Sequence, residues 1–175
     1  MYDLDDITSG TPTEPVTLAE LKRYLRIPTA NTNDDTDLTA LLTTARRKFE
    51  QVAWRSVVAH TFRLTIDDNE EEIELPFPPI DSVSAVYYWT GSEWSELDSS
   101  DDYYLHGSYK KILEIPYMTG YKIKVEFTTL ADSLPEYENL MMEWIAAVYD
   151  NRPDSDEVQE KVVKRMAKLR AQSCR

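Results

Sequence analysis

The sequence predicts an α+β fold, with helices at both ends and an antiparallel β-block between them. Two observations lead there. Apolar residues recur at three- and four-residue spacing up to about residue 54 and again from about residue 134, whereas between those points the period drops to two. Helices and strands are therefore segregated along the chain, which marks α+β and excludes a βαβ sheet.

The first helix is expected over 17–27. In "TLAE" the Thr17 hydroxyl can accept from the amide at the third helical position while Glu20 reaches back, a capping box. Leu18, Leu21 and Leu25 share a face, and Pro28 is expected to end the helix. "TANTNDD" is a polar loop ending in Asp34 and Asp35, which suit a helix start. Leu38, Leu41, Leu42, Ala45, Phe49 and Val52 then define a long amphipathic helix over 35–54.

The β-block spans about 59–128 and holds six or seven short strands. His60, Phe62, Leu64 and Ile66 alternate with Thr61, Arg63 and Thr65, the pattern of a half-buried strand. "DDNEEE" is a charged turn before a second strand, "IEL". The prolines of "PFPP", residues 76–79, cannot donate to a ladder, so this segment is an edge or a crossover. "TGS" joins "VSAVYYW" to "EWSEL" as a hairpin, a second hairpin turns at His106, Gly107 and Ser108, and "YKIKVEFTT" is the last strand. Helices are expected again over 134–151, with Ser133 as cap and Pro135 in the first turn, and over 155–172 beyond a break at Pro153. Tyr137, Leu140, Met141, Trp144, Ile145 and Val148 face inward on the first of these, and Val158, Val162, Met166 and Leu169 on the second.

Three segments follow from this reading: a flexible acidic arm over 1–15, a single domain over 16–153 whose helical part carries the β-block as an insert, and a basic C-terminal helix or extension over 154–175. The chain has 175 residues and a formal net charge of −13, unevenly spread. From Lys161 onward there are six basic residues and no acidic one, so the preceding 160 residues carry −19. A basic end on an acidic body favours an acidic partner for that end and a body that repels nucleic acid; a merely solvated helix face is the competing explanation. No apolar run reaches the roughly 20 residues of a membrane helix. "MYDLDDITSGTPTEP" has neither the basic nor the apolar part of a signal peptide. The lone Cys174 excludes a disulfide framework and a cysteine zinc site, as expected for a reducing cytoplasm.

Little in the sequence suggests catalysis. His60 and His106 stand alone, with no HExxH, nucleophile elbow or phosphate-binding loop nearby, and His60 reads as a hydrogen-bonded core or boundary residue. The carboxylates cluster in turns, Asp67 to Glu72 and Asp98 to Asp102, where solvation is a better explanation than a glycosidase pair. "DSSDD" lacks the EF-hand spacing. Neither a metal nor a cofactor is expected. The aromatics Tyr87, Tyr88, Trp89, Trp94, Tyr103 and Tyr104 are more informative. Successive strand residues point to opposite faces, so Tyr88 and the pair Tyr87 and Trp89 cannot share one side. Either both faces are covered or one aromatic face meets a partner.

The ordered set "VTLAELKRYLRI", "DDTDLTALLTTARRKFEQVAWRSVVAHTFRLTID", "IELPFPPIDSVSAVYYW", "SDDYYL", "ILEIP" and "VEFTTLADSLPEYENLMMEWIAAVYDNRP" resembles the head–tail connector proteins of tailed bacteriophages, also called adaptor or head-completion proteins. The resemblance covers about 16–154. "VAWRS" departs from the turn that many relatives carry after the long helix, and neither the acidic arm nor the basic end has a counterpart. The resemblance implies a non-enzymatic ring, commonly of twelve copies, beneath the portal protein. The ring would extend the DNA channel, pass genomic DNA without specific binding, and offer a platform to a downstream stopper or tail protein. It implies a place at the head–tail junction of the virion, after assembly in the host cytoplasm, with no membrane role. On that basis Lys161, Lys164, Arg165, Lys168 and Arg170 are portal-interface candidates, and Tyr88, Trp89, Trp94 and Tyr104 are candidates for inter-subunit or tail-side contacts. A tail-completion or stopper ring is the alternative within the virion. An acidic DNA-mimic inhibitor is the alternative of another class, disfavoured because the densest acids lie in β-turns.

Overall fold

The computed structural model describes residues 2–10, 12–99, 101–150 and 155–172. In chain order its elements are β1 (Tyr2–Asp6), α1 (Leu18–Tyr24), α2 (Asp35–Ala53), β2 (Thr61–Ile66), β3 (Glu72–Glu74), β4 (Ile80–Trp89), β5 (Trp94–Glu96), β6 (Tyr104–His106), β7 (Ile112–Glu114), β8 (Ile123–Thr129), α3 (Pro135–Asp150) and α4 (Ser155–Gln172). The α+β order matches the sequence expectation. The chain divides into two compact units, a β unit of residues 1–12 and 58–131 and a helical unit of residues 13–57 and 132–175.

In the helical unit, the Thr17 capping box forms as expected: the Glu20 amide donates to the Thr17 hydroxyl at 3.2 Å, and the Thr17 amide donates to the Glu20 carboxylate at 2.9 Å. The hydroxyl contact also draws the Glu20 carboxyl below its ordinary pKa. Helix α1 ends before Pro28. Arg26 adopts a left-handed φ of 59°, its amide donates to the Arg23 carbonyl, and the Ile27 amide donates to Lys22. This paired closure satisfies the terminal carbonyls, so the proline is not what stops the helix. Helix α2 ends likewise on a left-handed residue, Trp54. At α3 the expected Ser133 cap is displaced: the Tyr137 and Glu138 amides donate to the Leu134 carbonyl, and the Ser133 hydroxyl donates to the Glu138 carboxylate at 3.0 Å. Pro135 occupies the first helical position, where a missing N–H leaves nothing unsatisfied. The expected break at Pro153 lies outside the described residues.

The core of this unit gathers Leu21, Leu38, Phe49, Tyr137, Ile145, Met166 and their neighbours from all four helices. Three cations enter it. Lys22 donates to Asp35 at 2.6 Å, Arg46 bridges Glu14 and Glu50, and Arg55 reaches Asp132 and the Tyr137 hydroxyl.

The β unit contains a five-stranded antiparallel sheet ordered β1-β2-β8-β4-β5 and a three-stranded sheet ordered β3-β7-β6. Their shared core comprises Phe62, Leu64, Val86, Ile123, Val125 and Phe127 from the large sheet, and Ile73 and Leu113 from the small one. Residues 2–6, expected in a flexible arm, instead form an edge strand. Tyr2, Leu4 and Asp6 lie opposite Ile66, Leu64 and Phe62. Leu4 packs on the core, and Asp6 bonds the buried His60 at 3.0 Å. The acidic composition hid a period-two pattern whose partner lies some sixty residues downstream.

The proline corner works as the sequence implied. Ladder bonds resume on either side of it, with the Leu75 amide on the Lys111 carbonyl and the Ile80 amide on the Tyr109 carbonyl. The Pro79 carbonyl accepts from Leu130, and the Phe77 ring lies 5.5 Å from Phe62. Two register shifts in β4, between Ile80 and Ser82 and between Val83 and Ala85, allow adjacent Ala85 and Val86 both to be buried. Gly107 turns the β6–β7 hairpin at φ 89°, where a Cβ would sit 2.1 Å from the Lys110 carbonyl oxygen.

Candidate interaction surfaces

Strand β4 divides the aromatic set between two faces. Tyr88 points toward the β-unit core and meets the Tyr121 ring edge-on at 6.2 Å. Tyr87 and Trp89 lie on the other face, where Trp89 pairs with Trp94 across the β4–β5 hairpin at 5.4 Å between ring centroids. The Lys124 ammonium stands 4.0 Å from the Tyr87 ring centre and 4.8 Å from that of Trp94. Both contacts are cation–π in geometry. Tyr104 is elsewhere, exposed on β6 at an edge of the small sheet. Of the four aromatic candidates only Trp89 and Trp94 touch, and Tyr87 and Lys124 complete their cluster.

The basic candidates line α4. Lys161 pairs with Glu157 at 2.7 Å and Lys164 with Glu160 at 2.6 Å, each one turn back, while Arg165 pairs with Glu143 of α3. Lys161 and Lys164 are each 68% exposed. The hydrogen bond from Lys161 lowers the pKa of Glu157. Val162, Met166 and Leu169 are buried, and on the adjoining side of the helix Lys161, Lys164 and Lys168 form one solvated stripe. The side chain of Arg170 lies outside the described residues. The local partners Glu157, Glu160 and Glu143 offset much of the charge of Lys161, Lys164 and Arg165.

The histidines are placed as structural residues. His60 is buried, its ring 5.2 Å from Phe62 and its Nδ1 on Asp6, while its amide donates to the Thr129 hydroxyl. Burial raises the Asp6 pKa, but the Thr8 hydroxyl and amide, together with His60, outweigh it and leave the carboxyl below its ordinary value. His106 Nε2 lies 2.7 Å from Glu114 on the surface. Glu96, Asp98, Ser99 and Tyr103 line an acidic hollow with an aromatic wall, and burial pushes the Tyr103 phenol upward. Among the described residues no group of three His, Cys, Asp or Glu could hold a metal ion, and no helix is long and apolar enough to cross a membrane.

Two features escaped the sequence reading. Asn69, in the middle of the charged turn, is 2% exposed and fastens the loop before Tyr121: its amide donates to the Tyr121 carbonyl, and its side-chain oxygen accepts from the Tyr121 amide at 3.0 Å. Tyr117, in the turn between β7 and β8, is 98% exposed at a φ of 67°. An aromatic beside a proline in a turn carries no periodic signal.

No protein-family model matches the sequence, and no curated protein is similar to it. Solved structures are similar in fold. A chain from the neck of an empty gene transfer agent particle, computed with C6 symmetry, superposes with a TM-score of 0.68 at 18% identity over 94% of each chain. A chain from the virion of the native particle gives a TM-score of 0.68 at 18% identity, over 93% of this chain and 94% of the other. One from the native neck computed with C12 symmetry gives 0.59 at 18% identity over 94% of each. Over nearly its whole length, the chain has the fold of proteins built into the neck of phage-like gene transfer agent particles.

Proposed function

We propose that the chain is a structural subunit of a virion neck, a head–tail adaptor that assembles as a ring under the portal and extends the DNA channel. The observation that carries this reading is the fold likeness to neck chains over 94% of each chain. Physical arguments support it. A closed ring needs two different contact surfaces on each subunit. The Trp89–Trp94–Lys124 cluster is a candidate for one of these contacts, while the exposed stripe on α4 is left for the portal. A formal charge of −13 suits a conduit that DNA crosses without holding, because phosphate affinity comes chiefly from Lys and Arg. In this reading Lys161, Lys164, Arg165, Lys168 and Arg170 dock on the portal, about twelve copies close the ring in the host cytoplasm, and a stopper or tail protein follows.

The test is removal of the chain from a producing cell, followed by electron microscopy of the lysate. The expected result is heads and tails that accumulate unjoined. Joined, infectious particles lacking the chain would refute the proposal, and unimpaired head filling with defective tails would shift it to a tail-completion ring. Reversing charge at Lys161, Lys164, Arg165 and Lys168 in the full chain is expected to reproduce the unjoined phenotype with the fold intact.

A further inference from the structure

We infer that Tyr117 is a presented docking anchor, beside an acidic loop, for an apolar socket rimmed by Lys and Arg on a different protein of the particle; this rests on the neck reading. Two consecutive turns link β7 to β8. In the second, the Tyr121 amide donates to the Met118 carbonyl, and the left-handed position is taken by Gly120 at φ 84°. In the first, the Met118 amide donates to Ile115, Pro116 is the second residue, and the left-handed position is taken by Tyr117. That arrangement favours glycine, because a Cβ disfavours positive φ. The chain thus places its most exposed aromatic where a glycine would be easier to accommodate. The side chain gains little within the monomer, since it is 98% exposed.

The turn is held firmly. Asn69 is buried and donates through Nδ2 to the Glu70 carbonyl while its Oδ1 accepts from the Tyr121 amide. The Gly120 amide donates to the Asn69 carbonyl at 2.9 Å, and the Ile115 amide donates to Glu71 at 2.9 Å. A buried polar side chain with this many bonds fixes the turn that follows Tyr117, so the backbone that presents the tyrosine is pre-ordered and less backbone freedom is lost on binding. Strained backbone and exposed aromatics together mark contact sites more than folding needs, and tyrosine is enriched among binding hot spots.

The acidic loop sets the partner's chemistry. Bonded to the turns on either side of Tyr117, it carries Asp67, Asp68, Glu70 and Glu71, all exposed, with exposed Glu72 opening β3, and Lys122 pairs with Asp67 at 2.9 Å. Complementarity then calls for basic residues around an apolar socket. A second copy is a poor fit, because Lys161, Lys164 and Arg165 of its basic stripe are already paired with Glu157, Glu160 and Glu143, and nucleic acid would be repelled.

The test replaces Tyr117 with p-benzoylphenylalanine in the full chain, irradiates purified particles and identifies cross-linked peptides. The expected result is a dominant cross-link to an apolar segment flanked by Lys or Arg in another virion protein. A cross-link to a second copy, or none from particles that contain the chain, overturns the inference and leaves the neck reading standing. Absence of the chain from particles overturns the neck reading, and the inference with it. Tyr117→Gly supplies an independent check with the partner so identified. It should leave the melting temperature unchanged or higher while weakening association roughly thirty-fold or more, and the pair Glu70→Lys and Glu71→Lys should also weaken it. Unchanged association in Tyr117→Gly would likewise overturn the inference.

Discussion

Arg46 offers the sharpest stability prediction. Its side chain is 3% exposed, with Nε 2.9 Å from Glu14 and Nη1 2.8 Å from Glu50. The second Glu50 oxygen accepts from the Val57 amide at 3.1 Å, and the second Glu14 oxygen accepts from the Thr43 hydroxyl at 2.9 Å. The guanidinium therefore links the segment entering α1, the middle of α2 and the segment leaving it. Arg46→Ala leaves two carboxylates facing each other, one of them buried, and the expected loss is about 3–5 kcal/mol. Since domains are stable by only about 5–15 kcal/mol, that is a large share. At roughly 2–4 °C per kcal/mol for a chain of this size, the melting temperature should fall by about 6–20 °C. Urea denaturation followed by circular dichroism gives the free energy directly. The triple variant Glu14→Gln, Arg46→Met, Glu50→Gln should recover most of the loss, because the desolvation cost of the charges disappears with them. A loss below about 1 kcal/mol in Arg46→Ala, or no recovery in the triple variant, would refute the reasoning that unpaired burial dominates.

Four further outcomes follow from the same geometry. Asn69→Ala strips partners from the Tyr121 amide and the Glu70 carbonyl, and should cost roughly 1–3 kcal/mol in chemical denaturation while speeding amide exchange at 120 and 121. Thr17→Ala should cost about 1 kcal/mol through loss of the capping box, read as a shift in denaturation midpoint. Gly107→Ala should disorder the β6–β7 hairpin, seen as lost exchange protection over 104–114, because the added carbon would overlap the Lys110 carbonyl. Asp6 has a folded pKa below the ordinary aspartate value of about 3.9, so its contribution is full above that value and is lost as pH falls through the folded one. Exchange protection of β1 should drop over that acid range, and Asp6→Asn should remove the dependence.

The locally determined features were legible. The Thr17 box, the period of α2, the turns around Gly91 and Gly107, and Pro135 at the first position of α3 depend on residues within a turn or two of each other. Features that need distant partners were not. Strand β1 is defined by β2, across the intervening helices α1 and α2, and its aspartates disguised it as an arm. The end of α1 lies at a left-handed arginine, a residue that carries no stop signal of its own. The division of Tyr88 from Tyr87 and Trp89 followed from strand alternation, but the seat of Lys124 between Tyr87 and Trp94 required the β4–β8 register. The basic stripe of α4 was readable as helical spacing, whereas the pairing of Arg165 with Glu143 depends on how α3 and α4 pack. Asn69 looked like one polar residue among acids, since burial of a turn residue has no mark in the sequence.

Mass photometry of the purified chain, alone and mixed with the portal of the same particle, decides whether it forms a neck ring on a portal, as we propose. We expect monomers alone and, with portal, an added mass of about twelve copies, reduced by the charge reversals at Lys161, Lys164, Arg165 and Lys168. Failure of the chain to join the portal at any salt concentration would contradict the proposal.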